Sequence, residues 1–125
     1  MILFLDDEVN VLKSIERLYR RKNIPIITTD CPFKALEILK NEPIEIIVSD
    51  FRMQKMNGLE FLKRASEIQP NAVKIILSGY AEESLIEQAI ASNDIHEYLL
   101  KPFEQDYFVD RVQDVYNEVQ KYECV

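Results

Sequence analysis

Short runs of apolar, mostly β-branched residues recur at Ile2–Leu5, Ile24–Thr28, Ile44–Ser49, Val73–Leu77 and Tyr98–Leu100. The third reads Ile-Glu-Ile-Ile-Val-Ser, nearly continuous, as a strand buried on both faces requires. Between the runs the period lengthens. Val9, Leu12, Ile15, Leu18 and Tyr19 fall three or four apart and form one apolar stripe, which predicts a helix with a single buried face. Phe33–Leu39, Leu59–Ile68, Leu85–Ile90 and Tyr107–Val119 carry the same spacing. Strand alternating with helix along the whole chain predicts an α/β fold of parallel βαβ units with right-handed crossovers.

Punctuation agrees with that division. Asp30 ahead of Cys31-Pro32 is expected to cap the second helix, with proline in its first turn. Pro43 parts the second helix from the third strand, and Pro70-Asn71 closes the third helix. Gly58 and Gly79 fall just beyond the third and fourth strands. At 125 residues the chain has the size of one domain, and residues 1–125 are read as a single unit.

The formal charge of −7 would repel a nucleic-acid backbone, so direct DNA or RNA binding is not expected. It suits a divalent cation or a basic partner surface. No apolar run approaches the roughly 20 residues that span a bilayer, and Met1–Leu5 runs straight into Asp6, unlike a signal peptide. Cys31 and Cys124 form no metal-spaced pair. These features place the chain in the reducing cytoplasm, without zinc and away from membranes.

In an open parallel sheet, ligands gather at the carboxyl ends of the strands. There the first strand is followed by Asp6, Asp7 and Glu8, the third by Asp50, the fourth by Ser78 and the fifth by Lys101-Pro102. The second contributes Thr28-Thr29-Asp30, with no evident role. Carboxylates crowded into one cleft raise the pKa of at least one of them, and a hard cation such as Mg²⁺ removes that penalty. Asp7 and Asp50 are assigned as direct Mg²⁺ ligands, and Asp6 as one acting through water. An aspartate carboxylate is also a nucleophile toward phosphorus, provided positive charge and donors surround the equatorial oxygens. Mg²⁺, Lys101, the Ser78 hydroxyl and backbone N–H groups after Asp50 are expected to supply them. Taken one at a time, each of these signals has a plainer reading as a cap, a turn or a surface loop. Their placement at successive strand ends is what argues for a site.

Leu5-Asp6-Asp7-Glu8, Asp50-Phe51-Arg52-Met53, Met56-Asn57-Gly58, Ser78-Gly79 and Leu100-Lys101-Pro102-Phe103 resemble, in order and separation, the signature blocks of the receiver domain of two-component response regulators. The resemblance implies a flavodoxin-like, doubly wound five-stranded parallel sheet of strand order 2-1-3-4-5 with five helices. It implies Asp50 as phosphoacceptor, Asp6 and Asp7 as the acidic pair, and the Arg52 carbonyl as a further Mg²⁺ ligand. Ser78 and Lys101 would contact the phosphoryl group, and the Lys101–Pro102 bond would be cis. Tyr98 matches an aromatic that turns inward on activation, although an aromatic on an edge strand is often simply packing. Two positions depart from the pattern: Gln54 stands where proline is usual and Gly79 where alanine is commoner.

The function implied is phosphorelay signalling. A sensor histidine kinase or phosphotransfer protein would donate a phosphoryl group to Asp50 in a Mg²⁺-dependent reaction. The aspartyl phosphate would then change the face made by the fourth helix, fifth strand and fifth helix, toward an output domain or a second copy. Such a chain catalyses its own phosphorylation and slow dephosphorylation without being a turnover enzyme. Arg52 and Tyr80, each two positions beyond a site residue, are expected to hinder the attacking water and prolong the phosphorylated state. The alternative is an interaction module of the same fold that is never phosphorylated. An aspartyl-phosphate hydrolase would want a second acid where Arg52 stands, and a flavin carrier a Gly/Ser/Thr-rich loop where Asp-Asp-Glu stands. His96 is read as a partly exposed loop residue, and Met53 and Met56 as core filler.

Overall fold

A computed structural model describes residues 1–79, 83–101 and 105–123. Expectations that fall on Tyr80, on the Lys101–Pro102 peptide, on Phe103 and on Cys124 lie outside the described residues. The chain runs β1 (Ile2–Leu5), α1 (Val9–Tyr19), β2 (Ile26–Thr29), α2 (Pro32–Asn41), β3 (Ile46–Asp50), α3 (Gly58–Ile68), β4 (Val73–Ser78), α4 (Glu83–Ala91), β5 (Glu97–Leu100) and α5 (Gln105–Glu123). The five strands pair in the order β2-β1-β3-β4-β5, and every pairing is parallel.

Successive side chains of a strand point to opposite faces, so each apolar run supplies two cores. Ile2, Phe4, Ile46, Val48, Ile75, Leu77 and Leu99 face a layer built from Leu12, Ile15 and Tyr19 of α1 and Phe108, Val109, Val112 and Val115 of α5. Leu3, Leu5, Ile47 and Ile76 face Ala35 and Leu39 of α2, Phe61, Leu62 and Ala65 of α3, and Ile86 and Ala89 of α4. Helices thus cover both faces, which is why the central strands are mostly apolar, with Ser49, Asp50 and Ser78 confined to their carboxyl ends.

Several boundaries differ from the sequence pattern. β2 begins at Ile26, because Pro25 has no N–H to give to a ladder and supplies only its carbonyl, to the Ile2 N–H. β3 begins at Ile46, since the Ile44 N–H is taken by the Gln69 side chain. It ends one residue later than the apolar run, so Asp50 belongs to the sheet and stands opposite Leu77. The cap of α2 is Cys31, not Asp30. The Thr29 hydroxyl accepts the Cys31 N–H at 3.3 Å and closes a turn just ahead of the helix.

Candidate functional site

Strand register brings the site together. Leu5 of β1 stands opposite Ser49 of β3, Asp50 opposite Leu77 of β4, and Ser78 opposite Leu100 of β5. Residues that follow these positions therefore emerge side by side along one edge, with neighbouring strands about 4.8 Å apart. Asp6 continues the β1 ladder, its N–H reaching the Thr29 carbonyl. Lys101 continues β5, its N–H bonded to the Ser78 carbonyl at 2.8 Å.

Lys101 organises the charges. Its Nζ lies 3.1 Å from Asp6 Oδ2 and 3.1 Å from Asp50 Oδ1. The other oxygen of Asp6 accepts the Glu8 N–H at 2.9 Å, so both oxygens of that buried carboxylate are engaged. Asp7 is more open to solvent, and one oxygen from each of Asp6, Asp7 and Asp50 lies within 4.8 Å of the others. Hard oxygen donors at that spacing fit Mg²⁺. Receiver domains generally depend on that ion, and here Asp7 has the accessible carboxylate while Asp6 is already bridged.

Electrostatics follow from the geometry. Burial raises the Asp50 carboxyl above the usual range, repulsion from Asp6 and Asp7 adds to it, and Lys101 opposes it. Burial pulls the Lys101 ammonium down, but Asp6 and Asp50 overcome that and hold it above the ordinary lysine value. Lys101 stays charged, while burial and neighbouring carboxylates disfavour the ionised form of Asp50.

Ser78 is buried at the end of β4 and its Oγ donates to the Gly79 carbonyl at 2.8 Å. Arg52 lies exposed on the loop that leaves Asp50. Met56 is buried in the layer beneath α2, α3 and α4, and Met53 packs against it, as expected of filler. Tyr98, opposite Ile76, is half-buried against that same layer, away from the charged cluster. His96 is exposed just before β5, yet its Nδ1 accepts the Lys74 N–H at 3.0 Å, a bond the sequence does not announce. The engagement of Asp6 by Glu8 was equally hidden, because the donor is a backbone group two residues away.

Comparison with known proteins points the same way. Residues 2–113 match the family model of the response regulator receiver domain. Over 113 residues the chain is 32% identical to the hydrogenase transcriptional regulatory protein HoxA of Bradyrhizobium diazoefficiens, a match covering 90% of this chain and 23% of that regulator. A solved structure from Neptuniibacter caesariensis superposes with a TM-score of 0.89 at 32% identity, covering 98% of this chain and 90% of that one. A CheY-like receiver domain protein from Methanospirillum hungatei shares the fold, with a TM-score of 0.84 at 24% identity over 97% of this chain and 96% of that one. The chain therefore spans under a quarter of the HoxA regulator it resembles. On these grounds it belongs to the family of response regulator receiver domains.

Proposed function

We propose that residues 1–125 form one phosphoacceptor unit in which Asp50 takes a phosphoryl group from a histidine kinase or phosphotransfer protein and reports it to a partner. The observation that carries this reading is the Lys101 ammonium held 3.1 Å from both Asp6 and Asp50. A charge so placed against a carboxylate at a strand end matches what phosphoryl transfer asks of a protein, namely positioning and fixed positive charge.

An Asp50 carboxylate oxygen attacks phosphorus as the P–N bond to the donor imidazole breaks, and the imidazole leaves with a proton. Asp7, Asp50 and the Arg52 carbonyl would hold Mg²⁺ directly, with Asp6 acting through water because its oxygens are already bonded. When bound, the ion supplies positive charge against the crowded carboxylates and the phosphoryl oxygens. Lys101 keeps its charge throughout and follows the developing oxyanion. The new group brings about two negative charges and three acceptor oxygens, enough to draw the Ser78 hydroxyl from the Gly79 carbonyl. Ser78 is tied through its own carbonyl to Lys101, so its movement reaches β5 and Tyr98.

The face toward a partner, an output domain or a second copy is assigned to α4, β5 and α5. Leu85 on α4 and Tyr107 on α5 are exposed apolar side chains on two of those elements. Among the described residues no helix is long and apolar enough to cross a membrane. A cytoplasmic setting, with no direct nucleic-acid contact by this unit, accords with its acidic charge of −7.

Incubation with a small phosphodonor and Mg²⁺, read by intact mass, tests the proposal. Wild type should gain one phosphoryl group and Asp50→Asn none, because an amide is no nucleophile. Equal labelling of the variant would move the acceptor elsewhere. No labelling of either would favour an interaction module.

A further inference from the structure

α3 begins hard against the acceptor. Asn57 caps the helix, its side chain accepting the Glu60 N–H at 2.8 Å. The Gly58 N–H turns back to the Phe51 carbonyl at 2.8 Å. A Cβ added at Gly58 would stand 2.3 Å from the Asp50 carbonyl oxygen, 3.0 Å from the Phe51 Cα and 3.1 Å from the Asp50 carbonyl carbon. All three are backbone atoms, which cannot rotate aside as a side chain would. Carbon and oxygen in ordinary contact lie about 3.3–3.6 Å apart, so the closest approach is a collision.

Backbone conformation does not explain this glycine, since no described glycine has positive φ. Helix propensity alone would favour alanine. The requirement is space, and the atoms needing it belong to the phosphoacceptor.

Neither side of the contact yields easily. Asp50 is paired in the sheet opposite Leu77, and the Phe51 N–H is bonded to the Leu77 carbonyl at 2.8 Å. α3 is held by Phe61, Leu62 and Ala65, all fully buried. A side chain at position 58 must therefore tilt the Asp50–Phe51 peptide or lift the start of α3. The first rotates the Asp50 carboxylate away from Asp7 and Lys101 and carries the Arg52 carbonyl with it. The second breaks the bond that anchors the loop.

We infer that Gly58 is a positioning residue for phosphorylation: the missing Cβ lets α3 abut the Asp50 carbonyl and so sets the acceptor carboxylate within its charged cluster. This rests on Asp50 being the acceptor.

The test compares phosphorylation by a small phosphodonor, over a range of donor concentrations at saturating Mg²⁺, in wild type, Gly58→Ala and Leu62→Ala. Leu62 is fully buried on the same helix, within the apolar core, so it reports loss of α3 packing. Gly58→Ala should lower the maximal rate on the order of tenfold to a hundredfold, with little change in the donor concentration at half-maximal rate. Its Mg²⁺ affinity, read by calorimetric titration, should fall too. Leu62→Ala, assayed at a temperature where circular dichroism shows it folded, should keep the wild-type rate and affinity. A wild-type rate and affinity in Gly58→Ala overturns the inference, and so do parallel losses in Leu62→Ala. Gly58→Ala is likewise assayed at a temperature where circular dichroism shows it folded, and if it folds at no temperature the inference is overturned too, since the glycine is then a requirement of the fold rather than of the acceptor's position. Unlabelled wild type is a different failure, one of the acceptor assignment, and removes the inference with it.

Discussion

A half-buried lysine and a fully buried one stand at opposite ends of the same sheet and meet opposite fates. Lys101, at the carboxyl end of β5, faces two carboxylates at 3.1 Å, and its pKa is held above the ordinary value despite burial. Lys74, near the amino end of β4, is 3% exposed, and its Nζ donates to the Ala72 carbonyl at 2.9 Å. Burial pushes its pKa down, and Asp94 offsets only part of that. The amino end is closed by bonds to backbone. Gln69 accepts the Ile44 N–H and donates to the Leu39 and Glu42 carbonyls, while His96 accepts the Lys74 N–H. The carboxyl end gathers charges whose mutual needs exceed what the chain supplies. Partners that are already satisfied make a sheet end structural, whereas like charges around one cation leave it ready for a ligand.

Removing each lysine in turn gives the largest break in this comparison. Lys101→Met should lower the phosphorylation rate by about 10²–10³, the scale for losing one group that stabilises developing charge. It should also cost about 1–3 kcal/mol in urea unfolding, less than a fully buried pair would, because the Lys101 side chain is 25% exposed. Lys74→Met should leave the phosphorylation rate unchanged and move stability by less than about 1 kcal/mol, since the lost bond to Ala72 is offset by the lifted cost of a buried amine. Equal penalties for the two substitutions would erase the distinction between the two ends.

A smaller effect sharpens it. Burial and the nearby Lys74 hold the His96 pKa below the ordinary histidine value. Its neutral Nδ1 accepts a bond that protonation removes. The stabilisation is thus complete above the unfolded-state pKa of about 6.5 and is lost as pH falls through the lower folded-state value. Wild type should lose up to about 1 kcal/mol from this source between pH about 7.5 and about 5, limited by solvent that replaces the partner of an exposed ring. His96→Gln should lack that component. Identical pH slopes in urea midpoints for the two proteins would show that His96 does not latch the foot of β5.

The elements were legible in the sequence because the signals that make them are local. Ile46, Ile47 and Val48 announce a two-faced strand, and the Val9–Tyr19 stripe announces a helix with one buried side. The ends of those elements in turn named Asp6, Asp7, Asp50, Ser78 and Lys101 as neighbours, since a parallel sheet turns every strand end to the same edge. Boundaries were less legible at Pro25, Ile44 and Cys31, where a missing N–H, a bond to the distant Gln69 side chain and a bond to the neighbouring Thr29 hydroxyl decided where pairing or capping began.

What only the tertiary structure decided is how those residues share their atoms. Lys101 reaches Asp6 across 95 positions of chain, and which carboxylate it bridges depends on strand register and on the depth to which each side chain is buried. The same holds for the backbone contact that leaves no room for a side chain at Gly58. Periodicity is written within ten residues or so, whereas hydrogen-bond partners and close approaches are set by the packing of elements that the chain brings together only once it has folded.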